Sequence, residues 1–268
     1  MPVCFTSSRV FFSLLATIVY FFAALASGAP YSTTLKTAID MEHEKKMARL
    51  TGLLYLLVIL FAGFSQGYVR GTLFIPDDAA ATFEHIRASE ALFRLGFVTD
   101  LSAFLIDLAI SVLLYLLLRP VDKTLSLVAA AFRLLAHPAI GSLNLLNHYM
   151  VLEVAGGGGF ISAFTPEQQQ AMVMLLLEAH KYGYLIAGAF FGLHCLLLGF
   201  LLYRSELFPR ILGVLMALAA VGYLMESFGD FLFPGNESWL ALTVGLTAAA
   251  GEISLTLYLL VKGVKNPV

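Results

Sequence analysis

Six stretches of this chain, at roughly 50–68, 92–118, 125–152, 170–203, 211–232 and 239–261, stay apolar for about 20 residues or more, the length a helix needs to cross a hydrocarbon core of about 30 Å. In lipid every backbone N–H and C=O must find its partner inside the protein, so only helices and closed barrels span. A barrel requires a long series of ten-residue strands with alternating polarity, and none is present. The pattern therefore predicts an all-α fold: a polytopic transmembrane helix bundle with six core helices. Composition agrees, since 59% of the 268 residues are hydrophobic and 13% charged, whereas soluble domains carry about a quarter charged. A net charge of −2 gives no global attraction for nucleic acid. Two distant cysteines, Cys4 and Cys195, make no disulfide framework.

The connections predict orientation. "HEKKMAR" precedes the first helix, and "LRPVDK", "YRSELFPR" and "KGVKNPV" follow the second, fourth and sixth. This side carries nine cations beside the helices: Lys45, Lys46, Arg49, Arg119, Lys123, Arg204, Arg210, Lys262 and Lys265. The other side carries Arg70, Arg87 and Arg94. The excess marks the cytoplasmic side, which puts both ends of the six-helix core there. On the other side, "TPEQQQ" predicts a helix start with Thr165 as N-cap, Pro166 in the first turn and Gln168 completing a capping box. "GGGG" at 156–159 reads as a hinge. Residues 79–93 read as a short helix with Phe83, Ile86 and Phe93 on the outer membrane interface.

An additional apolar run lies at roughly 10–28, in "RVFFSLLATIVYFFAALASGA". It resembles a signal peptide, but cleavage there conflicts with the cation count. It is instead a seventh span, or residues 1–40 lie upstream of a start at Met41. The domain expectation is an N-terminal extension over 1–40 and a six-helix domain over 41–268.

The core segments "ARLTGLLYLLVILF", "ASEALFRLGFVTD", "LLRPVDKTLSLVAAAFRL", "LNLLN", "AHKYGYLIAGAFFGLHCLLLGFLLYRSELFPRILGVLMALAAVGYLMESF" and "LVKGVKNP" resemble a bacterial family of polytopic membrane proteins, domain of unknown function 4386. The resemblance runs over roughly 45–266. It implies the helical fold and a bacterial inner (cytoplasmic) membrane, and it brings no activity or site residues with it.

Ionisable residues inside spanning segments are the candidates for function. Counted at about 1.5 Å per residue from the basic ends, Asp107 lies roughly 18 Å in, Arg133 roughly 13 Å, and His194 and Glu252 roughly 15 Å. Four helices thus place Asp107, Arg133, His194 and Glu252 at one level near the midplane, as a candidate polar core. Helical spacing also aligns Asp100, Asp107 and Ser111; Arg133, His137, Gly141, Asn144 and His148; Tyr223, Glu226 and Asp230; and Gly245, Ala248, Glu252 and Thr256. His180 lies about 21 Å from His194 along the helix, so the two cannot share a metal. With Asp100, His148, Glu226 and Asp230, His180 forms a candidate cluster at the outer mouth. Gly188 and Gly192 form a small-xxx-small pair beside His194.

Soluble metal-ligand spacings and nucleotide loops are absent, so no metal and no cofactor is assigned. "GFSQG" at 63–67 matches a nucleophile-elbow pattern, but lies on a membrane helix and lacks the strand–turn–helix context. The bilayer is one partner, and a small molecule or protons are candidate ligands. The leading functional reading is a non-enzymatic membrane protein binding or passing a small solute or protons through its polar core. The alternatives are an intramembrane hydrolase using a metal or activated water near His194, Asp107 and Glu252, and a structural or partner-binding subunit, of open oligomeric state.

Overall fold

The computed structural model describes residues 33–265. The apolar run at 10–28 lies outside the described residues. Six helices are long and apolar enough to cross a membrane. They are α1 (Met41–Leu73), α3 (Glu90–Leu118), α4 (Lys123–Gly156), α5 (Pro166–Arg204), α6 (Arg210–Leu232) and α7 (Glu237–Val261). A short α2 (Ala79–Ala88) and a 3-10 turn (Gly159–Ala163) complete the described elements, which include no strand. The fold is all-α, and its spans match the six apolar stretches with ends a few residues longer.

Alternation of the helices puts both ends of the bundle, with the 119–122 and 205–209 turns, at one "terminal end". The 74–89, 157–165 and 233–236 connections form the "loop end". Start signals act as the sequence indicates. Thr165 and Gln168 cap α5 reciprocally, with Pro166 in its first turn. Asp122 accepts from the Leu125 N–H at 2.9 Å to begin α4. Gly157 ends α4 in the left-handed region (φ 67°), where a residue without Cβ is unstrained.

Long α5 is central. It meets α6 along a seam of small residues: a Cβ on Gly192 would meet the Leu224 and Tyr223 side chains, and one on Gly199 would lie 2.7 Å from the Gly213 carbonyl. In lipid no hydrophobic effect draws helices together, so close backbone approach and dispersion do. Leu105, Leu143, Leu146 and Leu175 are exposed and form part of the lipid-facing surface.

One local expectation is corrected. Phe83, Ile86 and Phe93 do not face the membrane interface; they are buried with Leu73, Val151, Leu152, Ile161, Val173 and Leu177. The reciprocal bonds between Thr82 and Ile75 (2.9 and 3.1 Å) turn α2 inward, so it caps the bundle.

Three spans contain a π-helical segment: Gly63–Val69 in α1, Leu135–Gly141 in α4 and Ala249–Ile253 in α7. Each adds a residue to the turn and re-aims side chains, a distortion frequent at functional sites. The segment in α4 contains Pro138, which removes an N–H and crowds the preceding turn. The three segments carry Ser65 and Gln66, His137, and Glu252.

Candidate functional site

The midplane is organised by Arg133, whose side chain is 1% exposed. Its Nε donates to Asp107 Oδ1 at 2.9 Å, and Nη2 donates to the same oxygen. Nη1 donates to Tyr55 Oη at 2.5 Å and lies 3.1 Å from His194 Nε2. His194 Nδ1 lies 2.8 Å from the Ala129 carbonyl, so it carries the hydrogen and Nε2 accepts from Arg133. The second oxygen of Asp107 is 2.8 Å from His137 Nδ1. The Tyr55 and Phe191 rings flank the guanidinium, at 4.5 and 5.1 Å from ring centre to Cζ. Asp107 and Arg133 thus neutralise each other, and each has its hydrogen-bonding atoms engaged, the arrangement that makes a buried ion pair tolerable.

Of the four candidate core residues, the structure brings Asp107, Arg133 and His194 into one network. Glu252 stands apart: its Oε1 accepts from Tyr223 Oη at 2.5 Å. Two members were not named from sequence as site residues. Tyr55 was hidden in "LLYLL", where a phenol among leucines reads as packing. His137 was placed on the polar stripe but given no role.

Above this network, toward the loop end, lies a cavity of about 460 Å³. Its walls include Gln66 and Arg70 from α1, His137 from α4, Lys181 and Tyr184 from α5, Tyr223, Glu226 and Asp230 from α6, and Glu237 and Ser238 from α7. Ser238 and Ala241 are exposed, so the mouth lies near the start of α7. The floor carries two oriented pairs. His137 is held by Asp107 through Nδ1, which leaves Nε2 as its free nitrogen, and Tyr223 is held by Glu252. The wall carries both signs of charge. Lys181 Nζ lies 3.1 Å from Asp230 Oδ2, an ion pair without hydrogen-bond alignment.

The five outer-mouth candidates divide into two groups. Glu226 and Asp230 belong to the cavity wall. Asp100, His148 and His180 converge behind it, with one ligand-type atom from each within 4.8 Å of the others. Their burial is nearly complete, at 0, 2 and 1% exposure. His148 Nε2 lies 3.0 Å from the Phe93 carbonyl and His180 Nδ1 lies 3.2 Å from the Asn144 carbonyl. Asn144 Nδ2 in turn donates to the His180 carbonyl at 2.8 Å. Gln66 Nε2 donates to Asp100 Oδ2 at 2.6 Å. Gln66 sits in the "GFSQG" stretch; an amide within an apolar run was the available signal for it. Ser65, in the same stretch, has neither strand nor elbow around it.

These features define a multi-pass helical membrane protein with a polar interior. The chain belongs to the family described as Domain of unknown function (DUF4386), which it matches over residues 50–263. It is also similar to an uncharacterized protein of Archaeoglobus fulgidus, 30% identical over 161 residues, covering 60% of this chain and 79% of the relative. No solved structure matches the chain significantly.

Proposed function

We propose that the protein binds a small polar solute in the cavity at the loop end. The observation that carries this is the cavity itself: about 460 Å³, walled by Arg70 and Lys181 as well as Glu226, Asp230 and Glu237, with His137 and Tyr223 as oriented polar groups on its floor. That volume falls in the range of pockets that enclose small ligands, and the mixed charge suits a zwitterion better than an apolar molecule. His137 Nε2 and the Tyr223 hydroxyl oxygen both offer hydrogen-bonding groups to a ligand or to water. The Arg133 network closes the bundle below, so passage of a solute or proton to the terminal end requires that network to open.

The hydrolase alternative around His194, Asp107 and Glu252 has no support in the geometry. Both nitrogens of His194 are engaged, Asp107 faces Arg133 and His137, and Glu252 faces Tyr223. The excess of Lys and Arg at the terminal end supports a cytoplasmic placement of that end in a prokaryotic cytoplasmic membrane. Lys123→Cys is then shielded from an impermeant thiol reagent in intact cells, while Gly157→Cys reacts; the reverse pattern inverts the orientation.

The binding test is a thermal-shift screen of the full chain in nanodiscs against zwitterionic, anionic and cationic small solutes. One class should raise Tm saturably, and Lys181→Ala or Glu226→Gln should abolish the shift. A screen in which no class stabilises, or in which both variants respond like the parent, contradicts the reading.

A further inference from the structure

We propose that Asp100, His148 and His180 form a binding site for a divalent transition-metal ion, zinc in the first instance. Three observations carry this, and none depends on the solute reading.

The first is convergence. The three ligand-type atoms come from α3, α4 and α5 and lie within 4.8 Å of one another. Tetrahedral zinc ligands at about 2.1 Å from the metal stand about 3.4 Å apart, so closure needs side-chain shifts of about an ångström. Two imidazoles and a carboxylate are a set that zinc and its neighbours bind well.

The second is the state of the free atoms. Backbone carbonyls take the hydrogens on His148 Nε2 and His180 Nδ1, which fixes each ring's tautomer. The lone pairs then sit on His148 Nδ1 and His180 Nε2. His180 Nε2 and Asp100 Oδ1 are buried without a hydrogen-bond partner. A carbonyl behind each metal-binding histidine is the usual outer-shell arrangement, as is an amide on the carboxylate, here Gln66 on Asp100 Oδ2. Two buried acceptors without partners, His180 Nε2 and Asp100 Oδ1, thus stand in one small cluster with His148, a costly arrangement. A cation bound there satisfies both.

The third is access. Gln66, which bonds Asp100, and Tyr184, whose ring centre is 5.1 Å from that of His180, both line the cavity, so an ion has a polar route in. The nearest fixed cation, Arg70, donates instead to the Leu177 carbonyl at 3.4 Å. A metal-free arrangement would turn the Ser65 or Tyr184 hydroxyl, both unpartnered and beside Asp100, onto the carboxylate and place a water on the imidazoles. It binds no ion, so titration separates the two.

The full chain, purified with a histidine-free tag and stripped by chelator, is titrated with Zn2+ and, for spectroscopy, Co2+. The expected result is one saturable ion per chain, a Co2+ visible absorption typical of few-coordinate nitrogen–oxygen ligation, and a zinc-dependent rise in Tm. Asp100→Asn preserves shape and His180→Ala removes a ligand; each should weaken binding by more than the roughly 10–100-fold that losing an outer-shell partner costs. If His180→Ala fails to fold, Asp100→Asn carries the test. His85→Ala, at an exposed position on α2, should retain the ion. Absence of saturable binding, or equal affinity in Asp100→Asn and the parent, overturns the proposal. Either outcome leaves the Lys181 and Glu226 solute test standing.

Discussion

The two histidine clusters of α4 and α5 lie one above the other and are built on opposite terms. At the midplane, His194 has both nitrogens engaged, Arg133 has a carboxylate and a phenol, and Asp107 has donors on both oxygens. Toward the loop end, His180 and Asp100 keep buried atoms without partners. Burial is equally deep in both places, so burial does not separate structure from site. Satisfaction does. A closed network holds helices in register, whereas buried acceptors without partners leave bonding capacity for a further ligand.

The largest expected effect probes the closed cluster. Arg133→Leu strands Asp107 as an unpaired buried charge and should cost about 3–5 kcal/mol. Adding Asp107→Asn should recover about 0.5–3 kcal/mol relative to additivity, while Arg133→Leu with Glu252→Gln, a pair that shares no hydrogen bond, should depart from additivity by less. Thermal melts in detergent report both cycles. Strong coupling to Glu252 would merge two networks that the structure keeps apart.

A smaller effect probes the open cluster. A Cβ at Gly183 would lie 2.0 Å from Asn144 Oδ1, and Asn144 positions His180. Gly183→Ala should cost about 1–3 kcal/mol through overpacking and weaken zinc binding further. A variant that melts lower yet binds zinc normally would detach Asn144 from the site. The smallest effect is at the cavity floor. Tyr223→Phe removes a single hydrogen bond to Glu252 and should lower stability by about 0.6 kcal/mol, the average for such bonds between membrane helices. A much larger loss of Tm would make this pair part of the closed network.

Legibility from sequence followed the same division. Span length and polar spacing are local, so six helices, the α5 cap and the Gly188/Gly192 approach could all be read along the chain. Counting 1.5 Å per residue also put Asp107, Arg133 and His194 at one height. Height is not contact, and the count could not show that Glu252 faces Tyr223 while His137 takes its place beside Asp107. Those choices depend on helix rotation, which the π-helical segments alter, and only Pro138 and the glycines of "GFSQG" hinted at them. The inward turn of α2 was missed because Phe83, Ile86 and Phe93 form an apolar face that reads alike against lipid or a bundle.

The central claim is that water enters from the loop end as far as the cavity and stops at the Arg133 network. Leu185 lines the cavity, and Leu198 lies fully buried further along the same helix, toward the terminal end. Single cysteines at these two positions, with Cys4 and Cys195 replaced, test the claim directly against a small water-soluble thiol reagent in nanodiscs. The account predicts that Leu185→Cys reacts and is protected by any solute that raises Tm, while Leu198→Cys stays inert until the protein unfolds. Comparable rates at the two positions would contradict it.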